Sequence, residues 1–177
     1  VIEGKRIKIR PLKERDLKVV FPLLDPQGIW GPFLPKEIQS EYLFQKEFLN
    51  SGLWEDQRGM AILEDKEERP LGSLWFFSPK GWEGLEIQYL TFDEEDRGKG
   101  IMSEALSLFC AYLFATRKIN RIQVNIPDFQ RSSIRVLQKT GFTFEGISRQ
   151  SVFHKGNYLD LCVYSLLRSE CKNIEKL

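Results

Sequence analysis

The sequence predicts one α+β domain with a mixed sheet, and three features carry that prediction. Strand-like segments recur from residue 5 to residue 167, four helix-length segments are set among them, and the stretches "DKEERP" (65–70), "PKGWEG" (79–84) and "KGN" (155–157) are short, turn-rich links suited to hairpins.

In chain order, "KRIKIRPL" (5–12) alternates Ile7 and Ile9 with polar residues, the period of a strand with one buried face. "KERDLKVVFPLLD" (13–25) carries Leu17, Val20, Phe21 and Leu24 at helical spacing, with Pro22 expected to bend or break the helix. The run "DPQGIWGPFLP" (25–35) cannot continue it, and a loop of this length often shapes a site. "KEIQSEYLFQKEFLNSG" (36–52) reads as a second helix stopped by Gly52. Strands are predicted at 59–64, 70–78 and 85–93. A helix of about 18 residues follows the "RGKG" segment, with Ile101, Ala105, Leu108, Phe109 and Tyr112 as its apolar stripe. "RIQVNI" (121–126) is the next strand, "QRSSIRVLQKTGF" (130–142) a short helix closed by Gly141, and "FTFEGISRQSVFH" and "YLDLCVYSLL" a final hairpin. No repeat, low-complexity tract or linker divides residues 1–177, so a single domain is expected, and Val1 in place of Met leaves room for a longer parent chain.

Composition narrows the function. Lysine and arginine number 26 against 25 aspartate and glutamate, so no global charge asks for nucleic acid or an anionic membrane. No apolar stretch approaches a membrane span and no signal segment opens the chain. The three cysteines, Cys110, Cys162 and Cys171, are odd in number and scattered, which fits a reducing, cytoplasmic setting.

Chemistry concentrates at Arg97, Gly98, Lys99 and Gly100, where the long helix must begin. A helix start leaves about four backbone N–H groups without partners and carries roughly half a positive charge. The nucleotide patterns GxxxxGK[ST] and GxGxxG both fail here, which leaves a basic surface loop or a pyrophosphate cradle built from the N–H groups of Gly98 to Ser103. The acidic run Asp93-Glu94-Glu95-Asp96 matches no calcium loop, so no metal is expected, and its carboxylates are expected to splay into solvent.

The order strand, acidic turn, R-G-K-G-I-M, long helix, strand, then "QRSSIRVLQKTGFTFEG" resembles the GNAT superfamily of acetyl-CoA-dependent acetyltransferases, whose loop is written Q/R-x-x-G-x-G/A; Arg97, Gly100 and Met102 occupy its marked positions. The tail from Ser132 to Arg168 resembles the RimJ/RimL branch, and the resemblance runs from Lys5 to Arg168. It implies a mixed, mostly antiparallel sheet of about seven strands flanked by about four helices, and transfer of acetyl from acetyl-CoA to a primary amine, either a protein or peptide N-terminus or an aminoacyl small molecule. The alternative is a non-catalytic CoA-binding or sensor module. Met102 stands where the loop usually has Gly or Ala, Gln130 where an Asn often contacts the cofactor, Leu137 where many members place a Tyr acid, and Val152 where RimL-like enzymes place a Glu base.

The resemblance further implies cofactor contacts from the backbone of Leu90, Thr91 and Phe92, from Arg97 through Ser103 including Ile101 and Met102, and from Gln130 and Ser133. Ser133 is the expected donor to the leaving thiolate, with helix capping as its other reading, and Glu86 the expected base, with a solvent-facing strand glutamate as its other reading. Trp30 and Phe33 in the Pro/Gly loop, with His154 and Tyr158 at the final hairpin, are expected to line the acceptor groove. A monomer or homodimer serves such a reaction equally.

Overall fold

Alternation along the strands decides how the molecule is layered. In Arg58–Glu64 (β3), Ala61 and Leu63 join one apolar cluster while Met60 and Ile62 join another, so the sheet is covered on both faces. The remaining strands are β1 (Ile2–Glu3), β2 (Lys8–Pro11), β4 (Pro70–Phe77), β5 (Leu85–Thr91), β6 (Arg121–Pro127), β7 (Thr143–His154) and β8 (Asn157–Leu167). The helices are α1 (Glu14–Leu24), α2 (Glu41–Ser51), α3 (Ile101–Thr116) and α4 (Arg131–Lys139), with 3-10 turns at Glu94–Asp96 and Arg168–Glu170. This computed structural model describes residues 1–24, 40–154, 156–172 and 174. The strands lie in the order β1-β2-β3-β4-β5-β6-β8-β7, all antiparallel to their neighbours except β5 and β6.

The larger cluster packs α3 and α4 on one face, through Phe109, Leu113, Ile134 and Leu137 against Leu74, Ile87, Ile122 and Val124. The smaller one packs Leu17 and Val20 of α1, with Phe44 and Phe48 of α2, against Met60, Ile62 and Leu90. Arg10 is buried on the α1 face of β2 and is neutralised by two buried carboxylates: its Nε donates to Glu64 at 2.6 Å and its Nη1 to Asp16 at 2.6 Å. This triad ties β2, β3 and α1 together.

The α+β fold with a mixed sheet stands as the sequence predicts, and the details depart in four places. Among the described residues the sheet has eight strands, against the about seven expected, because Ile2–Glu3 adds to the edge beside β2. Helix α1 runs through Pro22 to Leu24; a proline this close to the end removes one hydrogen bond without stopping the last residues. Helix α2 starts at Glu41, not at 36, because Ser40 is its N-cap and accepts the Leu43 N–H at 3.3 Å, while Gly52 stops it as expected with φ 63°. Helix α3 is buried on far more than the predicted stripe, with Met102, Leu106, Cys110, Ala111, Leu113 and Phe114 also inside, since α4 and β1 pack beside it as well as the sheet beneath.

Candidate active site

The parallel pair breaks the sheet open. β5 and β6 are paired only at Leu85–Ile122 and Glu86–Gln123, and beyond these residues they part, although β5 continues to Thr91 and β6 to Pro127. Antiparallel residues direct their N–H and C=O alternately to either side. The Phe92 N–H donates to the Leu71 carbonyl at 2.9 Å, so Phe92 and, by alternation, Leu90 face β4, while Tyr89 and Thr91 turn their amides toward the parting. Of the three residues expected to offer backbone donors, Thr91 is therefore the one aimed into the gap, and Tyr89 joins it. Gly72 lies opposite on β4, and a Cβ there would sit 2.3 Å from the Leu90 carbonyl oxygen, so this end of β5 is held closer to β4 than a side chain would permit.

The second component is the start of α3. Between the Arg97 N–H, which donates to Glu94 O, and the Glu104 N–H, which donates to Gly100 O, the six N–H groups from Gly98 to Ser103 make no protein hydrogen bond among the described residues. Gly98 and Gly100 both have φ 78°, the left-handed region that favours glycine, and a Cβ on Gly98 would project into open space. A run of open N–H groups at the positive end of a buried helix fits a pyrophosphate. Ile101 and Met102 point their side chains into the core, so their part in such a cradle is played by the backbone.

The cations and carboxylates of this loop are arranged differently from the expectation. Asp96 does not splay into solvent: only 5% of it is exposed, and it accepts from Arg69 Nη1 at 2.8 Å and from Lys99 Nζ at 3.3 Å. Arg69 foremost, against some opposition from burial, holds its carboxyl below the usual range. Arg97 pairs with Glu94 at 3.2 Å. A further cation, not anticipated from the sequence, lies across the loop: Arg6 donates to the Lys99 carbonyl and, through Nε, to Glu104 at 2.9 Å, with its guanidinium beside Gly100. No local pattern marks Arg6, because its partners lie more than 90 residues away.

Helix α4 closes the third side. Gln130 is its N-cap without a side-chain cap bond and Arg131 its first residue, so Ser133 lies inside the helix and does not serve as the cap. The Tyr89 hydroxyl reaches across from β5 and donates to the Ser133 carbonyl at 3.1 Å. Burial pushes the Tyr89 phenol well above its ordinary value, partly opposed by the nearby Ser133 side chain, so it stays protonated at neutral pH. The sequence did contain a signal for it: Leu85, Ile87 and Tyr89 share one face of the strand, and Tyr89 alone carries a hydroxyl into the core.

Glu86 lies on the opposite face of β5, half-buried, and accepts from Asn125 Nδ2 on β6 at 2.9 Å. Burial raises its pKa, and the Asn125 hydrogen bond lowers it in part. A carboxyl so placed is a better proton acceptor near neutrality than an exposed one. At the hairpin tip, His154 pairs with Asn157 and Phe153 with Tyr158, whose ring is 5.3 Å from that of Phe153 and whose residue is 64% exposed. β8 pairs with the end of β6 at Leu161–Pro127, so this tip extends past the end at which β5 and β6 part. Trp30 and Phe33 lie outside the described residues.

A parted parallel pair, a cradle of open amides on the next helix, and a carboxylate and a phenol on the two faces of one strand are the features that suit an extended phosphate-bearing cofactor with proton transfer beside it. The acetyltransferase (GNAT) domain family matches residues 6–143, and the chain belongs to that family. It is 38% identical over 180 residues to "Probable N-acetyltransferase YjcK" of Bacillus subtilis, covering 96% of this chain and 98% of that one. A spermidine N-acetyltransferase from Vibrio cholerae, in complex with CoA and spermine, shares the fold with a TM-score of 0.81 at 18% identity over 94% of this chain and 98% of its own. An acetyltransferase of the GNAT family from Bacillus anthracis does so with a TM-score of 0.79 at 21% identity, over 96% and 99%. The protein is an N-acetyltransferase that uses acetyl-CoA as its acyl donor.

Proposed function

We propose that the acceptor is a primary amine bearing a single charge beside an apolar or aromatic group: a protein or peptide N-terminus, as in the RimJ/RimL branch, or an aminoacyl small molecule. The observation that carries this reading is the state of the carboxylates on the face where Glu86 lies. Glu145 of β7 is occupied by Arg121 Nη1 at 2.6 Å and by the Ser165 hydroxyl at 2.6 Å, which leaves Glu86 to meet an ammonium group. A polycation would call for a wall of carboxylates, and the charge of Glu145 is already taken up by Arg121.

Acetyl-CoA supplies the activated acyl group; the chain supplies the proton transfers and the alignment. Glu86 takes a proton from the incoming ammonium, leaving a nucleophilic amine. The open N–H groups of Tyr89 and Thr91 are the donors available to a developing oxyanion, and the gap between β5 and β6 receives an extended amide chain as an added strand would be received. Ser133 and Tyr89 stand together at the head of α4 as the hydroxyls able to return a proton to a departing thiolate.

The test is thiol release from acetyl-CoA with a panel of amines that includes short peptides beginning with Ala, Ser or Met, aminoacyl amides and spermidine. A peptide or aminoacyl amide is expected to give the highest kcat/KM. Spermidine as the best substrate would overturn the acceptor assignment while leaving the acetyltransferase intact.

A further inference from the structure

Four polar side chains on one face of the opened sheet form a line whose direction is fixed by chemistry. Arg121 Nη2 donates to Gln123 Oε1 at 2.7 Å, Gln123 Nε2 donates to Asn125 Oδ1 at 3.0 Å, and Asn125 Nδ2 donates to Glu86 at 2.9 Å. Arg121, Gln123 and Asn125 are alternate residues of β6, so they share a face, and the β5–β6 ladder at Glu86–Gln123 sets Glu86 beside them.

An isolated primary amide can turn either its oxygen or its nitrogen to a neighbour. Here the choice is removed at the far end, because a guanidinium only donates. Gln123 must therefore offer its oxygen to Arg121, its nitrogen is then committed to Asn125, and Asn125 is left with its NH2 facing Glu86. Arg121 is itself held by Glu145, whose carboxyl it, together with Ser165, lowers to about 2. The anchor thus remains an ion pair across the working pH range.

We propose that Arg121, Gln123 and Asn125 form an oriented amide relay that makes Asn125 a positioning residue for Glu86, the proton acceptor of the reaction. The proposal rests on the reading of Glu86 as the base. Among the described residues, the strand neighbours of Glu86 are Phe77 across the ladder from β4 and Gln123 from β6, with Asn125 as its hydrogen-bond donor; the charged groups of the line, Arg121 and Glu145, are paired with each other. A donor aimed at the carboxylate favours its ionised form against the effect of burial. The relay gives the base an aimed hydrogen bond without placing a cation beside it, and a cation there would repel the incoming ammonium.

The sign of the test follows. Removing the donor disfavours the carboxylate, a larger fraction of Glu86 is protonated at low pH, and the acid limb of the kcat/KM profile moves to higher pH while the high-pH plateau stays. Asn125→Leu is expected to lower the rate on the acid limb by about fivefold relative to the plateau, the equivalent of one net hydrogen bond. Gln123→Met removes no hydrogen bond to Glu86, yet it frees the Asn125 amide to turn and should move the limb the same way by less; it also serves as the reporter if Asn125→Leu does not fold. Carboxyl-carbon NMR titration of Glu86 in the protein without acetyl-CoA, assigned with Glu86→Gln, should show the midpoint moving upward in both variants. A profile and titration unchanged in Asn125→Leu and Gln123→Met, with the acid limb of Glu86→Gln moved up to the pKa of the free amine, overturns the relay alone. An acid limb in Glu86→Gln that keeps the midpoint of the unsubstituted enzyme overturns the base assignment and the relay with it.

Discussion

At the scale of single residues, what matters is where a polar atom sits relative to the parting of β5 and β6. Tyr89 and Glu86 are three positions apart on one strand and consequently emerge on opposite faces, one toward α4 and the other toward β6. Burial keeps a phenol protonated and raises the proton affinity of a carboxyl, so on the proposed reading the same physical effect prepares an acid on one face and a base on the other. Tyr89→Phe retains the ring within the core and removes only the hydroxyl and its bond to Ser133 O. It is expected to lower kcat by at least about tenfold, with a small change in the acetyl-CoA KM. Ser133→Ala, compared in the same assay, divides the role between the two hydroxyls: the one whose loss lowers kcat is the donor, and the one whose loss raises only KM is a binding contact.

At the scale of elements, the loop ahead of α3 combines an anchored underside with an open mouth. Asp96 gathers Arg69 and Lys99, and Arg6 spans the Lys99 carbonyl and Glu104, so the backbone is held from outside while its N–H groups stay unoccupied. Acetyl-CoA bound there stabilises the native state by mass action, about 2.7 kcal/mol at a hundred times its Kd. The two glycines are not equivalent as probes. A Cβ at Gly100 would approach the Arg6 guanidinium at 3.2 Å, whereas one at Gly98 meets nothing within 4 Å. Gly98→Ala therefore reports on the cradle more cleanly, although its φ of 78° adds about 1–2 kcal/mol of backbone strain. The expected result is a folded protein of slightly lower Tm whose thermal shift with acetyl-CoA is greatly reduced; a full-sized shift would show that the cofactor does not approach this loop.

At the scale of the whole molecule, ion pairs join separate elements, among them Arg10 with Asp16 and Glu64, and Arg121 with Glu145. For Asp16, burial pushes the pKa up, and the hydrogen bond from Arg10, the Lys13 N–H and the charges of Arg10 and Arg15 more than offset it, so the net shift is downward. Glu145 is lowered to about 2, by Arg121 above all. A carboxyl depressed in the folded state contributes stability above its unfolded pKa, about 3.9 for Asp and 4.3 for Glu, and loses it as the pH falls through the folded value. Tm should accordingly be level from pH 7 to about 5 and decline steadily toward pH 2. A Tm that holds level down to pH 2.5 would show that these pairs do not contribute. Asp16→Asn, which leaves Arg10 buried with a weaker partner, should cost about 3–5 kcal/mol at neutral pH.

The sequence by itself determined the elements and the loop. Periods of two and 3.6 placed the main strands, the glycines at 52, 98, 100 and 141 marked the helix boundaries, and the R-G-K-G segment marked a candidate anion site, because these are local consequences of backbone sterics and side-chain spacing. It did not determine the contacts made across the sheet. That β5 and β6 part after two residue pairs, that Tyr89 rather than an α4 tyrosine meets Ser133, that Asp96 turns inward, and that Arg121 orients an amide line ending on Glu86 all depend on strand order and register. Strand order and register follow from burying both faces of the sheet at once, a condition on the whole chain that no short window of residues contains.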